Sequence, residues 1–142
     1  MKKNKGIKIL VIFIFAFTFK SFCQNATICF NEYKLTIKTI TKLGDTMTYY
    51  NDAGEKFNFI FYDFNGKCYC EKYSFNKIVE KGYFTTSDQK GEIVTSLRNS
   101  QGQKKRISKE ECNLPLKNGE WYVYDNNENV HSEKYILGVL QK

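Results

Sequence analysis

From residue 24 onward the chain alternates. Tyr33, Leu35 and Ile37 are interleaved with Lys34, Thr36 and Lys38, and Phe57, Phe59 and Phe61 with Asn58, Ile60 and Tyr62. Apolar residues at every second position mark a half-buried strand, and almost no stretch shows helical spacing instead. Breaks at Asp52-Ala53-Gly54, Phe64-Asn65-Gly66, Asp88-Gln89-Lys90-Gly91 and Ser100-Gln101-Gly102 contain the glycines that tight hairpin turns demand. The pattern predicts an all-β fold, an antiparallel meander of successive β-hairpins in one domain over residues 24–142. Lys42-Leu43-Gly44-Asp45 reads as a turn between the first two strands. Residues 107–117 read as a short polar insert. Ser108-Lys109-Glu110-Glu111 has the spacing of a helix capping box, and Pro115 ends such a helix within two turns.

The chain also repeats itself. Tyr62, Asp63, Asn65, Glu71, Lys72 and Tyr73 recur in register as Tyr124, Asp125, Asn127, Glu133, Lys134 and Tyr135. Each copy reads as aromatic pair, polar turn, alternating strand. The clearest repeats span 54–82 and 118–140. In the second, Asn118-Gly119-Glu120-Trp121-Tyr122-Val123-Tyr124-Asp125 leads through a polar turn to Glu133-Lys134-Tyr135 and a closing Leu137-Gly138-Val139-Leu140. This Gly-x-Trp-x-x-Tyr-Asp run resembles the MORN-like repeats of bacteria, found among proteins labelled as the YwqK family of antitoxins. The likeness is good over 118–140, fair over 54–82, weak over 83–106 and absent from 24–45. It departs at Glu128, which stands where the first copy has Gly66, and in the spacing of the two copies. The resemblance implies one hairpin per repeat, hairpins stacked into one elongated antiparallel sheet, and a protein partner.

The first 23 residues have a different composition. Lys2, Lys3, Lys5 and Lys8 precede an uncharged apolar run from Ile9 to Phe19, and Ser21-Phe22-Cys23 places small residues for a cut before Gln24. This is the pattern of a secretory signal peptide over 1–23, and its apolar run is shorter than the roughly 20 residues a membrane span needs. Processing leaves no transmembrane span and changes the charge. The whole chain carries +7, and removing residues 1–23 takes away five lysines and no acid, leaving +2. Nucleic-acid binders keep a strongly basic face after such trimming, so no nucleic-acid partner is expected. Lys104-Lys105-Arg106 reads as a solvated strand end. The expected location is periplasmic or extracellular.

Four cysteines outlast processing: Cys29, Cys68, Cys70 and Cys112. An even count in an exported chain indicates disulfides. Cys68 and Cys70 lie two apart on one strand, at the upper limit of disulfide geometry, so the expected bridges tie Cys29 and Cys112 to this central pair. Zinc is disfavoured because only one closely spaced cysteine pair exists, and His131 is the sole histidine. No metal or other cofactor is implied. No nucleophile with a base and no working carboxylate pair stands out, and Asp63 and Asp125 read as turn residues. Asn25-Ala26-Thr27 matches a glycosylation acceptor by chance.

The chain is therefore expected to be a non-enzymatic module for protein–protein binding or envelope scaffolding. Tyr62, Tyr73, Trp121, Tyr122, Tyr124 and Tyr135 are the candidate binding residues, since Tyr and Trp bury large area at low entropic cost. Neutralisation of a cognate toxin is the alternative, and carbohydrate binding through a row of aromatics a second. An unpaired terminal hairpin leaves an open sheet edge, which predicts self-association.

Overall fold

The computed structural model describes residues 26–98 and 100–142. The proposed signal peptide and the Asn25 acceptor lie outside them. The strands are β1 (Ile28–Phe30), β2 (Leu35–Ile37), β3 (Thr46–Tyr50), β4 (Lys56–Phe61), β5 (Cys68–Ser74), β6 (Lys77–Thr85), β7 (Lys90–Arg98), β8 (Lys104–Asn113), β9 (Leu116–Tyr124), β10 (Val130–Ile136) and β11 (Val139–Leu140). One 3-10 turn, Asn31–Tyr33, joins β1 to β2. The all-β class follows from the alternation.

The single meander does not. Strands β3 to β6 run as a meander, the chain then leaves, and β9 returns to pair with β6. The result is a seven-stranded antiparallel sheet in the order β11-β10-β9-β6-β5-β4-β3. The excursion, β7 and β8, joins β1 and β2 in a second sheet of order β2-β1-β8-β7, where Ile28 and Asn113 make a parallel bridge. The helix expected from the capping box at Ser108 does not form, because these residues lie inside β8. Nine cross-strand pairs with β7 satisfy more backbone groups than a helix of under two turns provides.

Alternation decides which side chains meet. Phe57, Phe59 and Phe61 of β4 face inward with Cys68 and Cys70 of β5, Phe84 of β6 and Trp121 of β9. The segment from β1 to Ile40 covers them with Ile28, Phe30, Tyr33, Leu35, Ile37 and Ile40. Phe30 packs on Phe59 and Phe84, with ring centroids 4.7 and 5.0 Å apart.

Trp121 is fully buried against Gly82. A Cβ on Gly82 would sit 2.2 Å from the indole, so only glycine lets the ring lie on the β6 backbone. The indole N–H donates to the Tyr83 carbonyl at 3.0 Å. The β6–β9 register shifts between Lys81 and Tyr83, at this same place. Trp121 therefore belongs to the core, and its expected place on a binding surface is corrected.

The cysteines are also redistributed. Cys29 and Cys112 bond to each other, linking β1 to β8. Closing a loop across 83 residues contributes about 4–5 kcal/mol in the chain-entropy model. Cys68 and Cys70 are free and fully buried opposite Phe61 and Phe59. Burial is the first cause that pushes both thiols up, so they stay neutral and unreactive. The bridges expected to this pair are absent because Cys68 and Cys70 point into the aromatic core together with Ile28 and Phe30, whereas Cys29, one residue out of phase with those two, points to the other side of β1 and meets Cys112 there.

Gly82→Ala is expected to destabilise the protein by at least about 1–3 kcal/mol, because the indole must leave its site. Urea unfolding measures this, and an unchanged midpoint contradicts the contact.

Candidate functional site

The inner face of the large sheet is used up by packing, so the opposite face is where recognition chemistry can sit. Register places Ile60, Tyr69 and Tyr83 in one row across β4, β5 and β6. The Tyr69 and Tyr83 rings are 5.2 Å apart. The next row holds Asn58, Glu71, Lys81, Tyr122 and Ser132. A third begins with Tyr50, Lys56 and Tyr73, and Tyr124 and Val130 pair at the far side of the sheet. Tyr50 is 65% exposed, Tyr83 52% and Tyr122 38%, while Tyr69, Tyr73 and Tyr124 are half-buried. Six tyrosines thus share one face.

Lysines hold these rings. Lys81 Nζ lies 5.8 Å from the Tyr122 ring and 6.0 Å from that of Tyr124, and Lys56 Nζ lies 5.1 Å from Tyr73. The face's two carboxylates are engaged by neighbours on their own strands. Glu71 accepts from the Tyr73 hydroxyl at 3.3 Å and Glu120 from the Tyr122 hydroxyl at 3.4 Å. Lys56, Lys81 and Lys134 form no salt bridge among the described residues, and these three ammonium groups outnumber Glu71 and Glu120, which stand opposite Lys81 and Lys134 in register. Burial, then Glu71, pushes the Tyr69 hydroxyl up to about 12, so it stays a neutral donor. At one end, Tyr62 (47% exposed), Lys67, Tyr83, Asn118 and Gly119 line an open groove of about 510 Å³.

Of the residues singled out in the sequence, Tyr73, Tyr122 and Tyr124 lie on this face, and Tyr62 flanks it. Tyr135 does not. It packs against the inner cluster, with its ring 6.5 Å from Trp121. The cause is the turn before it. In the first copy Tyr62 N–H donates to the Lys67 carbonyl, leaving four residues in the loop. In the second, Asp125 N–H donates to the Asn129 carbonyl, leaving three, with Glu128 at φ +63°. Losing one residue reverses every side chain downstream, because the strand period is two. Glu71 and Tyr73 therefore face outward, and their counterparts Glu133 and Tyr135 face inward. Both pairs keep the same local hydrogen bond, at 3.3 and 2.9 Å.

Both aspartates act as turn residues. Asp63 Oδ1 accepts the N–H groups of Asn65, Gly66 and Lys67, and Asp125 Oδ1 those of Asn127 and Asn129. The sequence reading missed Tyr50, Tyr69 and Tyr83. Their signal was phase: Tyr69 is out of step with Cys68 and Cys70, and Tyr83 with Phe84.

One polar cluster sits inside. Lys117 is buried, with Nζ 3.1 Å from Glu80 and 3.3 Å from Glu32, and 4.5 Å from the Trp121 ring. It ties the 3-10 turn to the sheet through Glu32. Burial works to lower its pKa, but Glu80 and Glu32 outweigh burial and hold it above its ordinary 10.5. Tyr33 Oη is buried beside it, facing Glu80 without a hydrogen bond of normal geometry. Among the described residues no group of three or more His, Cys, Asp and Glu side chains is placed to hold a metal ion, and no helix is long and apolar enough to cross a membrane.

No protein-family model, curated protein or solved structure matches the chain.

Lys117→Met is expected to destabilise by about 2–4 kcal/mol by leaving Glu80 unpaired, and adding Glu80→Leu should recover most of that loss. Because the folded pKa of Lys117 is raised, its contribution is full below pH 10.5 and lost as pH rises through the folded value. Urea midpoints at neutral pH and above pH 10.5 test both statements. A double variant no more stable than Lys117→Met contradicts the first.

Proposed function

We propose that this chain is an exported, non-enzymatic β-repeat module that binds a carboxylate-bearing protein surface through the tyrosine face of its large sheet. The observation that carries the reading is the division of labour between the two faces. Inward positions are filled with Phe, Cys and Trp, while the outward ones hold six tyrosines with Lys56, Lys81 and Lys134 among them. Tyrosine combines a broad apolar ring with a polar tip and few rotatable bonds, which favours association over solvent exposure. The lysines select the charge of the partner.

Export is supported by the basic and apolar N-terminal run, and the Cys29–Cys112 disulfide suits an oxidising compartment. The MORN-like resemblance supports a scaffold of stacked hairpins. Both repeat copies are hairpins here, β4–β5 and β9–β10, each turning on an aspartate cap. The saccharide alternative places the same tyrosines under a sugar ring.

A photo-crosslinking residue placed at Tyr83 in the producing cell tests the reading against the same residue at exposed Ile107 on β8. One discrete protein adduct is expected from position 83 and none from 107. Tyr122→Ser should reduce its yield by at least about tenfold, as loss of an aromatic anchor does. Equal adducts from both positions, no protein adduct, or selective binding to a glycan array through the same tyrosines would overturn it.

A further inference from the structure

The large sheet ends unequally. Its β3 edge exposes Thr46, Thr48 and Tyr50, whereas at the other edge Val130, Ile136, Leu137, Val139 and Leu140 are all about half exposed or more. That second edge is also incomplete. β11 pairs only with Tyr135 and Ile136, so no strand covers Val130–Lys134 on the side away from β9 among the described residues. The Lys134 carbonyl accepts from Gln141 N–H at 2.8 Å, which shows that Lys134 directs its backbone groups to this side. By the two-residue period Ser132 and Val130 do the same. The result is a five-residue notch with Ser132 at its centre and free ladder groups along it.

We propose that this notch takes the same notch of a second copy, antiparallel, with the two-fold axis at Ser132. The sequence is self-complementary about that residue. Ser132 meets Ser132 of the other copy as a hydrogen-bonded pair. His131 lies directly opposite the other copy's Glu133, and Glu133 opposite its His131. These are the non-hydrogen-bonded positions, where side chains approach closest. Val130 lies opposite the alkyl stem of the other copy's Lys134. His131 and Glu133 already lie 3.3 Å apart within one chain, so the exchange replaces like with like.

The notch also sets the register. Beyond Lys134 the edge is filled by β11, and the incoming strand, running the other way, starts at its own Val130 at that point. Only the Gln141–Lys134 hydrogen bond at each end is given up. A self-complementary patch is what a two-fold interface requires, whereas an unrelated strand would have to supply glutamate, serine and histidine in this order. The axis stands perpendicular to the sheet, so the tyrosine faces of both copies point to the same side. The pairing does not rest on the binding role proposed for that face.

Sedimentation equilibrium of the purified chain from micromolar to millimolar concentration tests this. A monomer–dimer equilibrium is expected. Ser132→Pro removes the outward N–H of both copies without touching the β9 ladder, and should raise the dissociation constant by at least about tenfold. His131→Glu sets glutamate against glutamate and should weaken dimers likewise. Adding Glu133→His restores the complement and should restore association. Ser132→Cys should form an intermolecular disulfide, since the facing Cα atoms of a hydrogen-bonded pair lie about 5.5 Å apart, within disulfide reach. A monomer at every concentration, a folded Ser132→Pro chain with unchanged association, or a swapped pair that fails to restore it would overturn the proposal.

Discussion

The large sheet holds together across a gap in the chain because Trp121 lies on Gly82. Between β6 and β9 the chain makes a long detour into the second sheet, so these two strands, unlike the hairpins, have no short turn to align them. The indole supplies the alignment. It covers the glycine, donates to the Tyr83 carbonyl, and meets Phe84 edge-on with centroids 5.0 Å apart. Burying an indole, roughly 200 Å² at about 25 cal/mol per Å², contributes about 5 kcal/mol. Together with the β6–β9 ladder and the Lys117–Glu80 ion pair, that contact joins two separate meanders into one face.

The two sides of the sheet then separate by packing. Inward residues bury under β1, the 3-10 turn and β2, with the Cys29–Cys112 bond holding this cover to β8. Lys117 reaches from the sheet to Glu32 on the cover and Glu80 on β6, so this buried ammonium fastens the cover to the sheet. Among the described residues no such segment covers the outward side. Rings there are held apart and oriented by Lys56 and Lys81 and by hydroxyl bonds to Glu71 and Glu120. The rings are thus held in place within the chain itself, and for the proposed binding role such order lowers the entropic cost of association.

Much of this was legible in the chain. Phe57, Phe59 and Phe61 announced both β4 and its buried face, and the Asp63 and Asp125 turns form as their residues suggest. What could not be read depends on contacts distant in sequence. β9 carries aromatics on both faces, Trp121 on one and Tyr122 and Tyr124 on the other, so alternation alone could not say which side meets the core. Tyr135 stands in register with Tyr73 in the sequence, but the turn ahead of it is one residue tighter, and identity in register conceals the reversal. The capping-box spacing at Ser108 was a local signal overridden by a nine-pair ladder with β7. The disulfide was equally hidden, since Cys29 and Cys112 meet only through the β1–β8 junction.

Because the chain holds one tryptophan, its fluorescence reports the contact on which the sheet depends. The structure predicts a blue-shifted emission that iodide scarcely quenches in the native protein, becoming red-shifted and fully quenchable only on unfolding. Native emission at the position of a water-exposed indole, quenched freely by iodide, would place Trp121 on the surface. It would contradict the joining of β6 to β9 and the assignment of opposite roles to the two faces.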